Sequence, residues 1–155
     1  PNIRCLIAGD GSARAELQAE IDKAGTDNVE LVGFAIGEKL HDLIRNAICT
    51  VLPSEWYENC PMSVLESLAL ATPVVGTRIG GIPELIADGV DGNIVDPAQP
   101  DELATAIREL AENLDFAAGA GAAGRDKIEK DFSAAGHYEQ IHNVYDNLLA
   151  KVPRH

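Results

Sequence analysis

The feature that most limits how this chain can fold is a repeated alternation of short apolar runs with helix-patterned stretches. Residues 3–8 (IRCLIA), 29–32 (VELV), 48–52 (ICTVL), 73–76 (PVVG) and 93–95 (NIV) each read as a strand. Residues 13–24, 37–46, 61–71 and 101–114 read as helices. Gly80-Gly81-Ile82-Pro83 opens a shorter helix that ends near residue 87. Leu17 and Ile21 lie four apart; Leu40, Leu43, Ile44 and Ala47 share a face; Leu103, Ile107 and Leu110 point inward. Ser12 stands where an N-cap belongs. Asp88-Gly89 and Asp91-Gly92 read as turns. Two further helices are expected over 116–130 and 134–151. The small-residue run 117–123 (AAGAGAA) reads as a loosely packed helix start or a turn, because clustered glycines weaken a helix.

The strands are apolar runs rather than strict polar–apolar alternations, which suggests burial on both faces. A parallel sheet covered by helices follows, a Rossmann-like α/β layer. In open sheets of this kind ligands bind beyond the carboxyl ends of the strands. The loops that matter are therefore those at Gly9, at Gly33, over 53–61 and over 77–83.

A length of 155 residues suits a single domain with a full core. The net charge of -13 works against nucleic-acid binding and against docking on anionic membranes. It leaves room for one nucleotide, because backbone N–H groups hold phosphate without net positive charge. Cys5, Cys49 and Cys60 form no CxxC pair, so no zinc knuckle or redox couple is indicated. Cys5 and Cys49 sit in apolar runs and read as buried small hydrophobes, in a reducing compartment. The longest near-apolar stretch, around 68–76, is about ten residues and too short to span a bilayer. Pro1 leads at once into a strand, which reads as a fragment or a trimmed N-terminus.

Gly9-x-Gly11 after a strand hints at a dinucleotide fingerprint. The third glycine would fall at position 14, which is Arg14, so the NAD reading is poor. The richest stretch is 53–73 (PSEWYENCPMSVLESLALATP). Glu58 falls in its loop and Glu66 on the helix, eight residues later. Pro61 suits the first helical turn, and the N–H groups of Met62, Ser63 and Val64 would then be free to hold an anion, helped by the helix dipole. Glu66, just over one turn in, is suited to accept hydrogen bonds from two sugar hydroxyls. The plainer readings are a solvated helix Glu and a capping loop Glu. A carboxylate pair also invites glycoside hydrolysis. The run 77–84 (TRIGGIPE) adds a second signal: Gly80-Gly81 lets backbone approach a ligand closely, or else makes a tight turn.

The order G-D-G-S-x-x-x-x-L, V-x-L-V-G-F, L-P-S-x-x-x-E, a second Glu eight residues on, A-T-P-V-V-G-T, G-G-I-P-E, D-G-x-x-G-x-x-V and L-A-x-A-I resembles the C-terminal half of retaining glycosyltransferases of family 4. Those are two-domain GT-B enzymes, and this half is their nucleotide-sugar-binding domain. The resemblance runs from Ile3 to Leu110. It implies one nucleotide-sugar-binding domain over 1–155, lacking the first strand–helix unit of its half and the whole N-terminal acceptor domain. The helix over 134–155 would pack back toward that acceptor domain.

By position, the resemblance implies that Glu58 lies at the reaction centre beside the donor sugar and that Glu66 holds the ribose. Cys60, Met62 and Ser63 would face the sugar and diphosphate, Gly33-Phe34 would border the base, Gly9 would line the cleft, and Gly80-Gly81 would form its neighbouring wall. The donor would be a nucleotide diphosphate sugar of hexose type, passed to an acceptor hydroxyl with retention. No metal and no other cofactor is expected. The expected location is cytoplasmic, with the parent enzyme at the cytosolic face of a membrane. The family often has glycine where Pro61 stands. It also clamps the diphosphate with an Arg and a Lys upstream of residue 3; Arg14 and Arg78 are the candidate replacements here, against plain surface solvation. Without the upstream cations the chain alone is expected to bind nucleotide weakly and to transfer nothing. The alternatives are a non-catalytic or degenerate sugar-nucleotide module, half of a sugar-nucleotide epimerase, and a hydrolase dependent on Glu58.

Overall fold

The computed structural model describes residues 3–151. Five strands alternate with five helices and two further helices follow: β1 (Cys5–Ala8), α1 (Arg14–Ala24), β2 (Val29–Gly33), α2 (Glu38–Arg45), β3 (Thr50–Leu52), α3 (Met62–Ala69), β4 (Val74–Thr77), α4 (Ile82–Leu85), β5 (Gly92–Val95), α5 (Pro100–Glu112), α6 (Leu114–Asp131) and α7 (Ala134–Lys151). The element order is the one read from the sequence. All pairings between these strands are parallel.

The strands form two sheets. β1 pairs with β2, and β3, β4 and β5 follow one another in the second sheet. Among the described residues no strand bridges β1 and β3. That break separates two levels of burial. β4 is buried at all four positions and β5 at three of four, whereas three of the four β1 residues are exposed. Burial on both strand faces therefore holds for β4 and β5 only. The expectation of buried cysteines also fails: Cys5 is exposed and Cys49 half-buried, and among the described residues no helix packs extensively over β1 to cover Cys5. Partial burial, reinforced by the nearby Cys5 thiol, pushes the Cys49 thiol up to about 11.

The core lies around the second sheet. Val64, Leu68, Val74, Ile82, Leu85, Ile86 and Ile94 pack on one side. Val75, Val95, Ala106, Leu110 and Ala117 form the other cluster. The 117–124 segment is neither loose nor a turn: it lies inside the single helix α6. Ala117, Ala120, Gly121 and Gly124 are its buried residues, at the three- and four-residue spacing of one helix face. A Cβ on Gly121 would come within 2.0 Å of the Ala71 carbonyl oxygen, and one on Gly124 within 2.6 Å of Leu68. Small size here brings α6 against α3 and the turn after it, which offsets the low helix propensity of glycine.

Lys127 of α6 donates to the Asp91 carboxylate and to the Leu85 carbonyl, and Asp91 also accepts the Ala87 N–H. Asp88 accepts the Ile94 N–H, so both carboxylates of the D-G-x-D-G turns shape the entry to β5. Ser12 does not cap α1. Ala13 takes that position without a side-chain cap, and the Arg14 N–H reaches Gly11 O instead.

Candidate functional site

Parallel pairing within each sheet sends the loops of interest off the carboxyl ends of their strands. The 53–61 loop leaves β3 and turns into α3, and the 77–81 segment leaves β4 and turns into α4. These two are in direct contact. The Thr77 hydroxyl, on a buried residue, donates to Ser54 O at 2.6 Å. The Gly81 N–H donates to Glu58 O at 2.7 Å. A Cβ on Gly80 would lie 2.3 Å from Glu58 O, and one on Gly81 2.0 Å from Asn59 O. Gly80 also has φ +56, where L side chains are strained. Both glycines are thus required by backbone-to-backbone contact. The loop is turned on itself as well, with Glu58 N donating to Trp56 O and Ser54 Oγ bonded to the Trp56 backbone.

Pro61 is buried and is the N-cap of α3, with φ -68 and ψ 111, rather than its first helical residue. The Val64 N–H consequently donates to Pro61 O. Of the three N–H groups expected to be free, those of Met62 and Ser63 have no acceptor among the described residues. Met62, Ser63 and Cys60 are exposed, and Glu58 and Glu66 are half-buried. One short loop and one helical turn therefore carry both acids and two outward amides.

The second group of expected residues belongs to the first sheet. Gly9 follows β1 with φ +145, and its N–H donates to the carbonyl of Gly33, which ends β2 with φ +74. Phe34 is 69% exposed beside them. The Arg14 guanidinium lies over Gly33. No hydrogen bond joins this pair to the Glu58 loop among the described residues. Arg78 is already engaged, by Asp96 at 3.2 Å and Asp88 at 4.0 Å, so it is not a spare cation. A groove of about 390 Å³ between β5 and α5 contains none of the expected site residues. Asp101, Glu102 and Glu109 make it acidic, and it is unsuited to phosphate. No group of three or more His, Cys, Asp or Glu side chains among the described residues could hold a metal ion.

Sequence reading missed Thr77 as the hydroxyl that ties the two loops. It also missed the Asp91–Lys127 pair that fixes the turn before β5. The first had a visible signal, a Thr closing a strand immediately before a glycine pair. The second joins residues 36 apart in the chain and had none.

The model of the glycosyl transferases group 1 family matches residues 1–127. The α-maltose-1-phosphate synthase of Mycolicibacterium smegmatis is 36% identical over 118 residues, covering 72% of this chain and 30% of that protein. The sucrose-phosphate synthase structure from Thermosynechococcus elongatus superposes with a TM-score of 0.80 at 26% identity, over 95% of this chain and 39% of that one. An Anabaena protein, HepE, solved with UDP, gives 0.86 at 22% identity, over 95% of this chain and 42% of its own. The chain spans between 25% and 40% of the length of such curated relatives. Parallel sheets flanked by helices match the Rossmann-like domains of GT-B enzymes in these structures. By its matched family model and its fold, this chain belongs to the glycosyl transferases group 1 family.

Proposed function

We propose that this chain is the donor-binding domain of a retaining glycosyltransferase that moves a hexose-type sugar from a nucleotide diphosphate sugar to an acceptor hydroxyl. The observation that carries this reading is the placement of both acids around the start of α3. Glu58 sits in the loop before the helix, Glu66 stands on it, and the unpartnered N–H groups of Met62 and Ser63 lie between. Those amides and the positive end of the helix dipole suit a diphosphate in a net-acidic chain. Glu66 accepts from the ribose hydroxyls. Glu58 accepts from the donor sugar, whose bond to the diphosphate breaks. Catalysis in this reading is placement of the sugar together with stabilisation of the departing diphosphate.

The reading uses no metal. Gly9, Gly33 and Phe34 form the base side, and Cys60, Gly80 and Gly81 the sugar side. The exposed face of α7 carries Ile141, Val144, Tyr145 and Leu148 at helical spacing, which supports packing of that helix against an acceptor domain. Residues 152–155 of the expected 134–155 element lie outside the described residues. No helix among the described residues is long and apolar enough to cross a membrane. A cytoplasmic site for the reaction is part of the proposal.

The test is calorimetric titration of the chain with UDP, GDP and ADP, beside Glu66→Ala. The expected result is selective binding of one nucleotide, weakened at least about tenfold in the variant through loss of hydrogen bonds to a charged acceptor. HepE was solved with UDP, which makes UDP the first probe. Equal affinities in both proteins would favour a degenerate module instead.

A further inference from the structure

We propose that Thr77, Gly80 and Gly81 are positioning residues for Glu58: they form a rigid seat that holds the backbone on both sides of that residue and so sets where its carboxylate points. The inference rests on the donor-site reading for the role of Glu58, but the seat itself is a matter of contacts.

The loop is clamped at two points. Thr77 Oγ1 holds Ser54 O at its start, and Gly81 N holds Glu58 O near its end. Between them Gly80 lies so close that a Cβ would meet both Glu58 N, at 2.8 Å, and Glu58 O, at 2.3 Å. The peptide units on both sides of Glu58 are thus in contact with the seat. Among the glycines described, Gly92 and Gly121 are the others at which a Cβ would come within 2.1 Å of a backbone oxygen.

The seat is itself anchored in the core at both ends. Thr77 ends the fully buried strand β4. The Arg78 N–H donates to Val95 O, and its guanidinium is paired with Asp96. Ile79 packs on the core, and Ile82, next after Gly81, is 0% exposed. A loop with exposed Trp56, Tyr57 and Asn59 has little core of its own, so this framework supplies its order. A carboxylate that must meet particular sugar hydroxyls needs such support from the groups behind it.

Because Glu58 faces the sugar and Glu66 the nucleoside in this reading, the seat governs sugar recognition and leaves nucleotide binding largely alone. The experiment compares Thr77→Val, Thr77→Ser and Gly81→Ala in the full chain. Amide hydrogen exchange over residues 54–60 should speed up about tenfold in Thr77→Val, with β4 and α5 unchanged. Thr77→Ser should restore the wild-type rate, because it keeps the hydroxyl. In titrations, Gly81→Ala and Thr77→Val should weaken UDP-glucose about tenfold and UDP less than about twofold.

Unchanged exchange at 54–60 in Thr77→Val would overturn the proposal, as would equal losses for UDP and UDP-glucose. If Gly81→Ala does not fold, the Thr77→Val and Thr77→Ser pair decides alone. If the wild-type chain binds neither probe, the exchange comparison alone decides whether the seat orders the loop.

Discussion

The first sheet and the second sheet are built from the same kind of strand–helix unit, yet they differ sharply in how much they bury. Around β1, α1 and β2 no helical residue is buried, and Leu6 and Leu17 are 38% and 42% exposed. Around β3, β4 and β5, Leu68, Ile82 and Leu110 are fully enclosed. Apolar patterning is present in both. What separates them is the number of neighbours. Among the described residues, β4 has a paired strand on each side and α3, α4 and α5 packed over it, whereas β1 has one paired strand and the helix of that sheet, α1, packs on β2. In a parallel sheet the hydrophobic contribution of a strand depends on what covers it as much as on its composition.

The comparison breaks most visibly by truncating one leucine in each region. Leu110→Ala should cost about 3 kcal/mol, since a fully enclosed leucine leaves a cavity. Leu17→Ala should cost less than about 1 kcal/mol, since much of that side chain already meets water. Denaturant unfolding of the two variants checks both figures. Similar losses would mean that α1 is covered in solution by something outside the described residues.

A smaller effect sharpens the comparison at the boundary between the sheets. The Cys49 thiol ionises near 9.0 when unfolded and near 11 when folded. Its contribution is fully present below pH 9 and is lost as pH rises from 9 through 11, because the unfolded chain releases its proton first. The loss should approach about 2 kcal/mol, and Cys49→Ala should flatten that part of the stability–pH curve. A curve of unchanged shape in the variant would show that water reaches the thiol and that the boundary is more open than the structure indicates.

The smallest effect lies within the well-covered region. Ala71 follows α3 with φ 58, a left-handed conformation that costs an alanine about 1–2 kcal/mol. Glycine removes that strain but gives the unfolded chain more freedom, worth about 0.4–1 kcal/mol. Ala71→Gly should therefore stabilise by about 0.5 kcal/mol, a shift measurable in the denaturant midpoint. Destabilisation would show that the alanine methyl has a packing role.

Element order and the location of the acids were legible because they depend on local pattern. Apolar runs punctuated by Gly and Pro mark strands regardless of what covers them, and the E-x7-E spacing puts one acid before a helix and one on it. Less legible was everything decided by a distant neighbour. The exposure of Cys5 follows from the lack of a helix packed extensively over β1 among the described residues. The persistence of α6 through its glycines follows from the surface of α3. Pro61 shifted by one position for a local reason: with ψ 111 it is extended, and the helix starts only after it. Gly80 and Gly81 were read as allowing close approach, which they do, but the backbone that approaches is that of Glu58 and Asn59.

The small-residue seam of α6 also has a mechanical meaning. Side chains in contact can rotate or trade volume, but Gly121 against the Ala71 carbonyl leaves nothing to adjust. The seam acts as an end stop that fixes how far α3 and the turn after it can move toward α6. Since α3 carries Glu66 and the Met62 and Ser63 amides, a bulkier residue at Gly121 or Gly124 would act as a wedge driven under one end of a lever. Its signature would be a graded displacement of the helix start, transmitted from the side of the helix away from the candidate site.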